Sequence, residues 1–120
     1  MDDLDSLVGV TLHSGIFIDS IEYVDELVDV IGRPATGWTR RIGKSLQVTL
    51  LSGLSRDLQS VTMYHEVIEG AMGAHFPDGV PEVLHMVNEA QIDDLARDFH
   101  RRLGFVTQDS LNQMLLELGF

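Results

Sequence analysis

The sequence predicts an α+β fold, with an N-terminal mixed β-sheet and one helix, then a long motif helix and two C-terminal helices. Three observations lead there. Apolar residues alternate in much of the first half and recur at helical spacing in the second. Gly and Pro stop signals separate the segments, with no repeat and no linker-like tract between them. The 120 residues, 44% of them hydrophobic, suit one core, because two halves would each bury too little surface. Residues 1–120 are therefore expected to form a single domain.

Val8, Val10, Leu12, Ile16 and Ile18 fall on alternate positions, which predicts a strand or hairpin with Ser14-Gly15 as its bend. Ser20 then reads as the cap of a helix carrying Ile21, Val24, Leu27, Val28 and Ile31, stopped by Gly32 and Pro34. Thr36–Thr39 and Ser45–Leu51 read as strands, the second bounded by Gly43 and Gly53. Ser55 caps the motif helix, whose apolar positions Leu58, Val61, Ile68 and Met72 share a face with His65 and whose end is expected near Gly70 to Gly73. Residues 75–81 hold the strongest turn signal, and a short helical turn follows Pro81. Asn88, with Gln91 completing a capping box, is expected to start a helix that runs to about Leu103 and stops at Gly104. Thr107 caps the last helix, in which Leu111, Met114, Leu115 and Leu118 form a core-facing stripe.

Composition narrows the function. With 19 acidic against 8 basic side chains the net charge is −11, which repels nucleic acid and anionic membranes. The absence of Cys removes disulfides, thiolate metal sites and thiol nucleophiles, so any metal must use His, Asp or Glu. The acidic start Met1-Asp2-Asp3-Leu4-Asp5 lacks the pattern of a secretory signal and no long apolar run follows, so a cytoplasmic location is expected. Residues 61–120 carry 3 basic and 10 acidic side chains, which makes this the cation-attracting half.

The chemistry concentrates in Tyr64-His65-Glu66-Val67-Ile68-Glu69. His65 and Glu69 are one helical turn apart, so an imidazole and a carboxylate can converge on one ion. A second segment, Asn88-Glu89-Ala90-Gln91-Ile92-Asp93, places Glu89 20 residues after Glu69. Together the two segments, about 30 residues, resemble the gluzincins, zincin-fold metallopeptidases related to thermolysin. In that family a His-Glu-x-x-His helix and a downstream Asn-Glu-Ala-x-x-Asp run build a zinc site. The resemblance implies a small zincin-like domain in which His65, Glu69 and Glu89 are metal ligands and Glu66 is the general base. Asp93 becomes the carboxylate that orients His65, a role metal-bound imidazoles generally require of a neighbour. It also makes Ser45–Leu51 the sheet edge that pairs with an extended peptide. The chain departs from the family at Glu69, where the second His would stand.

One His and two Glu carry a formal charge of −2, which suits Zn and also Mn or Fe, with Zn the first expectation. The extra carboxylate leaves a bound water less acidic than in a two-His site, so hydrolysis is expected to be slow or absent. Without an ion, the crowding of Glu66, Glu69, Glu89 and Asp93 should raise carboxyl pKa values. His100, two turns after Asp93, is a possible additional ligand or hydrogen-bond donor. His75 and His85 flank the turn and read as solvent-exposed, His13 has no assigned role, and Tyr64 points away from the 65/69 face into packing. Arg97, Arg101 and Arg102 read as helix-surface partners of Asp93, Asp94 and Asp98. The functional expectation is a metal-dependent hydrolase acting on a peptide or another carbonyl compound. Its alternative is a non-catalytic metal-binding or protein-interaction module of the same fold, with a peptide or protein as partner in either case.

Overall fold

The structure, a computed structural model, describes residues 4–28, 32–75 and 82–120, leaving aside the side chains of 75 and 82–88. Strands β1 (Phe17–Val24), β2 (Gly37–Ile42) and β3 (Ser45–Leu51) precede helices α1 (Arg56–His75), α2 (Glu82–Leu103) and α3 (Gln108–Leu118). The sheet order is β1-β3-β2, with β1 parallel and β2 antiparallel to the central β3. This is the small mixed sheet followed by three helices that an α+β chain of this length requires.

β3 shows why the sheet has one covered face. Leu46, Val48 and Leu50 alternate into the core, while their neighbours are only half-buried. A two-residue turn joins β2 to β3, with Gly43 at φ 62°, the left-handed backbone that a tight hairpin corner requires. α1 packs against β2 and β3 on one side and against α2 on another. Tyr64 is fully buried, stacked on Phe99, and donates its hydroxyl to the Gly104 carbonyl oxygen at 3.0 Å. It therefore packs away from the 65/69 face, as its position implies.

Five expectations need correction. The helix expected from Ser20 is strand β1 through Val24, and the described residues beyond it are not helical. The register explains the misleading period. The ladder slips between Ile18 and Ser20, so one extra residue, Asp19, bulges, and Ile18 and Ile21 both lie on the face of Leu46 and Val48. A bulged strand thus imitates the i, i+3 spacing of a helix. Upstream, the expected strand is reduced to one bridge, Thr11 to Phe17, around a tight turn at His13–Gly15 with Ser14 at φ 68° and Gly15 at φ 82°.

α1 continues past Gly70 and Gly73 to His75. These glycines admit the sheet: a Cβ at Gly70 would lie 2.5 Å from Leu46 Cδ2, and one at Gly73 2.8 Å from Arg41 Nε. α2 begins at Glu82, so Asn88 lies inside the helix and is not its cap. The central position of β3 also means that the free edge beside α1 is β2 and not Ser45–Leu51. Residues 76–81, with most of the expected turn, lie outside the described residues.

The C-terminal expectations stand. Gly104 ends α2 at φ 83°. The Thr107 side chain accepts from the Ser110 amide while the Ser110 hydroxyl accepts from the Thr107 amide, a capping box with Ser in the usual Glu place. Leu111, Met114 and Leu115 are buried. No helix among the described residues is long and apolar enough to cross a membrane.

Candidate metal centre

Two antiparallel helices meet at His65. In α1, four-residue spacing brings Glu69 Oε1 to 3.1 Å from His65 Nε2. From α2, Glu89 Oε2 reaches the same nitrogen at 3.2 Å. One donor atom from each of His65, Glu69 and Glu89 lies within 4.8 Å of the others. Metal–N and metal–O bonds of about 2.0–2.2 Å hold tetrahedral donors roughly 3.4 Å apart, so the two contacts to the imidazole have the spacing of ligands around one ion. The residues present fit a divalent cation.

The other imidazole nitrogen faces Asp93, with Nδ1 3.8 Å from Oδ1. Arg97 Nε donates to the second oxygen of Asp93 at 3.0 Å and fixes its orientation. Nε2 is thus directed at the two Glu side chains, while Nδ1 lies on the side of the Asp93 carboxylate, beyond hydrogen-bond distance.

Glu66 extends from the next position of α1 toward β2 and is only 3% exposed. Thr39 Oγ1 donates to Glu66 Oε1 at 2.8 Å. Gly37 leaves space for the carboxyl: a Cβ there would meet Thr62 Cγ2 at 2.4 Å and Glu66 Oε2 at 3.1 Å. Burial, reinforced by the charge of Glu69, pushes the Glu66 carboxyl up to about 8. Burial also raises Glu69, against the opposing hydrogen bond from His65. For His65 burial acts downward, but hydrogen bonds to Glu69 and Glu89 and the Glu66 and Glu69 charges outweigh it, and the imidazole rises to about 10. Without an ion, protons compensate the crowded carboxylates.

The remaining sequence candidates lie elsewhere. His100 is not part of the group: its Nδ1 meets Ser60 Oγ at 2.8 Å and its Nε2 lies 3.5 Å from Asp57 Oδ1. Ser60 Oγ also accepts from the Val106 amide, so this pair braces the loop after α2 against the start of α1. The backbone amide of His13 donates to Asn112 Oδ1. Arg101 and Arg102 pair with Asp98, and Arg102 also with Glu117. The side chains of His75 and His85 lie outside the described ones.

Three residues on β2 escaped the motif reading: Gly37, Thr39 and Arg41. They alternate along the strand and face α1, a period-2 signal present in Gly-Trp-Thr-Arg-Arg-Ile. What the spacing alone does not give is which helix that face meets. Compared with protein-family models, curated proteins and solved structures, the chain has no match.

Proposed function

We propose that the chain is a small metal-dependent hydrolase of zincin type, with His65, Glu69 and Glu89 as ligands and Glu66 as general base. One observation carries the reading. An imidazole nitrogen and two carboxylate oxygens from two helices converge at ligand spacing, and the residue after that His presents a carboxyl held by the adjoining strand.

A divalent cation held there, Zn first and Mn or Fe by the same donor chemistry, would acidify water and polarise a carbonyl. The chain's own groups supply the rest. Asp93, paired with Arg97, lies on the Nδ1 side of His65, where closing to a hydrogen bond would keep Nε2 toward the ion. Thr39 engages Oε1 of Glu66 and steadies the carboxyl, which would accept a proton from water and return it to the leaving group. The substrate is a peptide or another carbonyl compound. The net charge of −11 disfavours nucleic acid.

A second reading, metal or protein binding without catalysis, draws support from the 3% exposure of Glu66 and from Glu69 standing where a neutral imidazole would leave more positive charge on the ion. Elemental analysis of protein purified without chelator separates both from a purely structural cluster. About one divalent ion per chain is expected, lost in Glu89→Ala. Glu66→Gln should retain the ion and lower hydrolysis of a peptide library by about 10²–10⁴-fold. Retained metal with no hydrolysis in the wild type would favour the binding reading.

A further inference from the structure

Arg41 differs from the arginines of α2. Arg97, Arg101 and Arg102 each pair with a carboxylate of α2. Among the described residues, Arg41 has no carboxylate at ion-pair distance, and its Nη1 donates to the Gly43 carbonyl oxygen at 2.6 Å. That bond turns the guanidinium back along the hairpin and, among the described residues, leaves Nη2 and Nε without a hydrogen-bond partner. In a chain with 19 acidic side chains, a half-buried Arg without a carboxylate partner among the described residues is a conspicuous choice.

Its position gives it a use. Arg41 shares the α1-facing side of β2 with Gly37 and Thr39, the residues that enclose Glu66. Its side chain lies against Gly73, where a Cβ would approach Nε to 2.8 Å. Gly73 is four residues beyond the ligand Glu69, about 6 Å along the helix axis. A divalent ion held there would cancel the charges of Glu69 and Glu89, which leaves Arg41 as a cationic group on the β2 side of α1, one helical turn beyond Glu69. Its planar fork matches a carboxylate at two points.

We propose that Arg41 is the specificity residue of this site and anchors a substrate carboxylate, so that the preferred substrates are acidic peptides. The proposal rests on the metal-hydrolase reading for its orientation toward the scissile bond. The carboxylate comes from the C-terminus of a peptide or from an Asp or Glu side chain, and both offer the same two oxygens.

The test uses three N-acetylated tetrapeptides: one with a free C-terminal carboxylate, its C-terminal amide, and an amide carrying one internal Glu. Binding is read by isothermal titration calorimetry. Metal content is measured in the same samples. Loss of one charge-assisted contact corresponds to about a 10- to 100-fold weakening. The free acid, the internal Glu peptide or both should bind at least that much more tightly than the plain amide. Whichever of the two binds identifies the source of the carboxylate. Arg41→Gln should remove the difference and Arg41→Lys restore part of it, with unchanged circular dichroism. Gly73→Ala keeps the charge but displaces the guanidinium, and should weaken the acidic peptide without changing the plain amide.

Equal affinity for all three peptides, or an acid preference that survives Arg41→Gln, overturns the proposal even if metal is present. Acid preference through Arg41 in protein that binds no ion supports the anchor and removes the hydrolase reading. No ion and no preference removes both.

Discussion

Gly37 and Thr39 decide where the Glu66 carboxyl sits, and each can be altered without touching a ligand. Thr39→Val keeps the shape but leaves a buried carboxyl oxygen without its donor, which should destabilise the protein by about 1–3 kcal/mol. Thr39→Ser should recover most of that loss in urea denaturation. Gly37→Ala places a methyl 2.4 Å from Thr62 Cγ2, and the resulting overpacking should cost about 1–3 kcal/mol. If both substitutions leave the denaturation midpoint unchanged, β2 does not hold Glu66. At this scale the sequence was informative about α1 and α2, because four-residue spacing puts His65 with Glu69, and Glu89 with Asp93, without knowledge of the tertiary fold. Thr39 was not legible, since its partner is 27 residues away and on another element.

Elements were legible where local chemistry agreed with the packing and were misread where packing decided. Thr107 and Gly104 mark real helix boundaries because caps are satisfied by neighbours in sequence. Gly70 and Gly73 resemble stops, yet they lie inside α1 because the sheet comes too close for a side chain. This difference gives opposite expectations for one substitution. In an exposed helix interior Gly→Ala gains about 1 kcal/mol. At Gly70 the new methyl would meet the buried Leu46 side chain at 2.5 Å, so Gly70→Ala should instead lower stability by about 1–3 kcal/mol. At Gly73 the obstacle is the tip of Arg41, which can swing aside, so Gly73→Ala should be neutral or stabilising. Chemical denaturation of the pair checks the contrast, and a stabilised Gly70→Ala would contradict the close packing of α1 on β3. β1 is the other instructive case: the Asp19 bulge shifts the alternation by one residue, a fact that appears only when β1 is paired with β3.

At the scale of the whole molecule, the clustered carboxyls couple folding to protons and to metal. Glu66 is raised in the fold to about 8 from 4.5, chiefly by burial, so the folded state holds a proton that the unfolded chain releases. Its contribution is fully present below about 4.5 and declines as pH rises to about 8. His65 is raised to about 10 from 6.5, so its contribution is present below about 6.5 and is lost as pH rises through 10. Both shifts have the same sign. In chelator, the thermal midpoint should therefore fall steadily from pH 5 to pH 9.

A divalent ion takes the place of those protons. Its binding should release protons into weakly buffered solution and flatten the pH dependence of the midpoint. Saturation at 100 times the dissociation constant should add about 2.7 kcal/mol of stability. The net charge of −11 supplies a competing explanation, because self-repulsion also grows with pH. Glu66→Gln distinguishes the two. It changes one charge, so a general repulsion would leave the fall between pH 5 and 8 nearly intact, whereas a slope set by the buried carboxyl should become shallower across that range, with the fall that remains above about pH 6.5 belonging to His65.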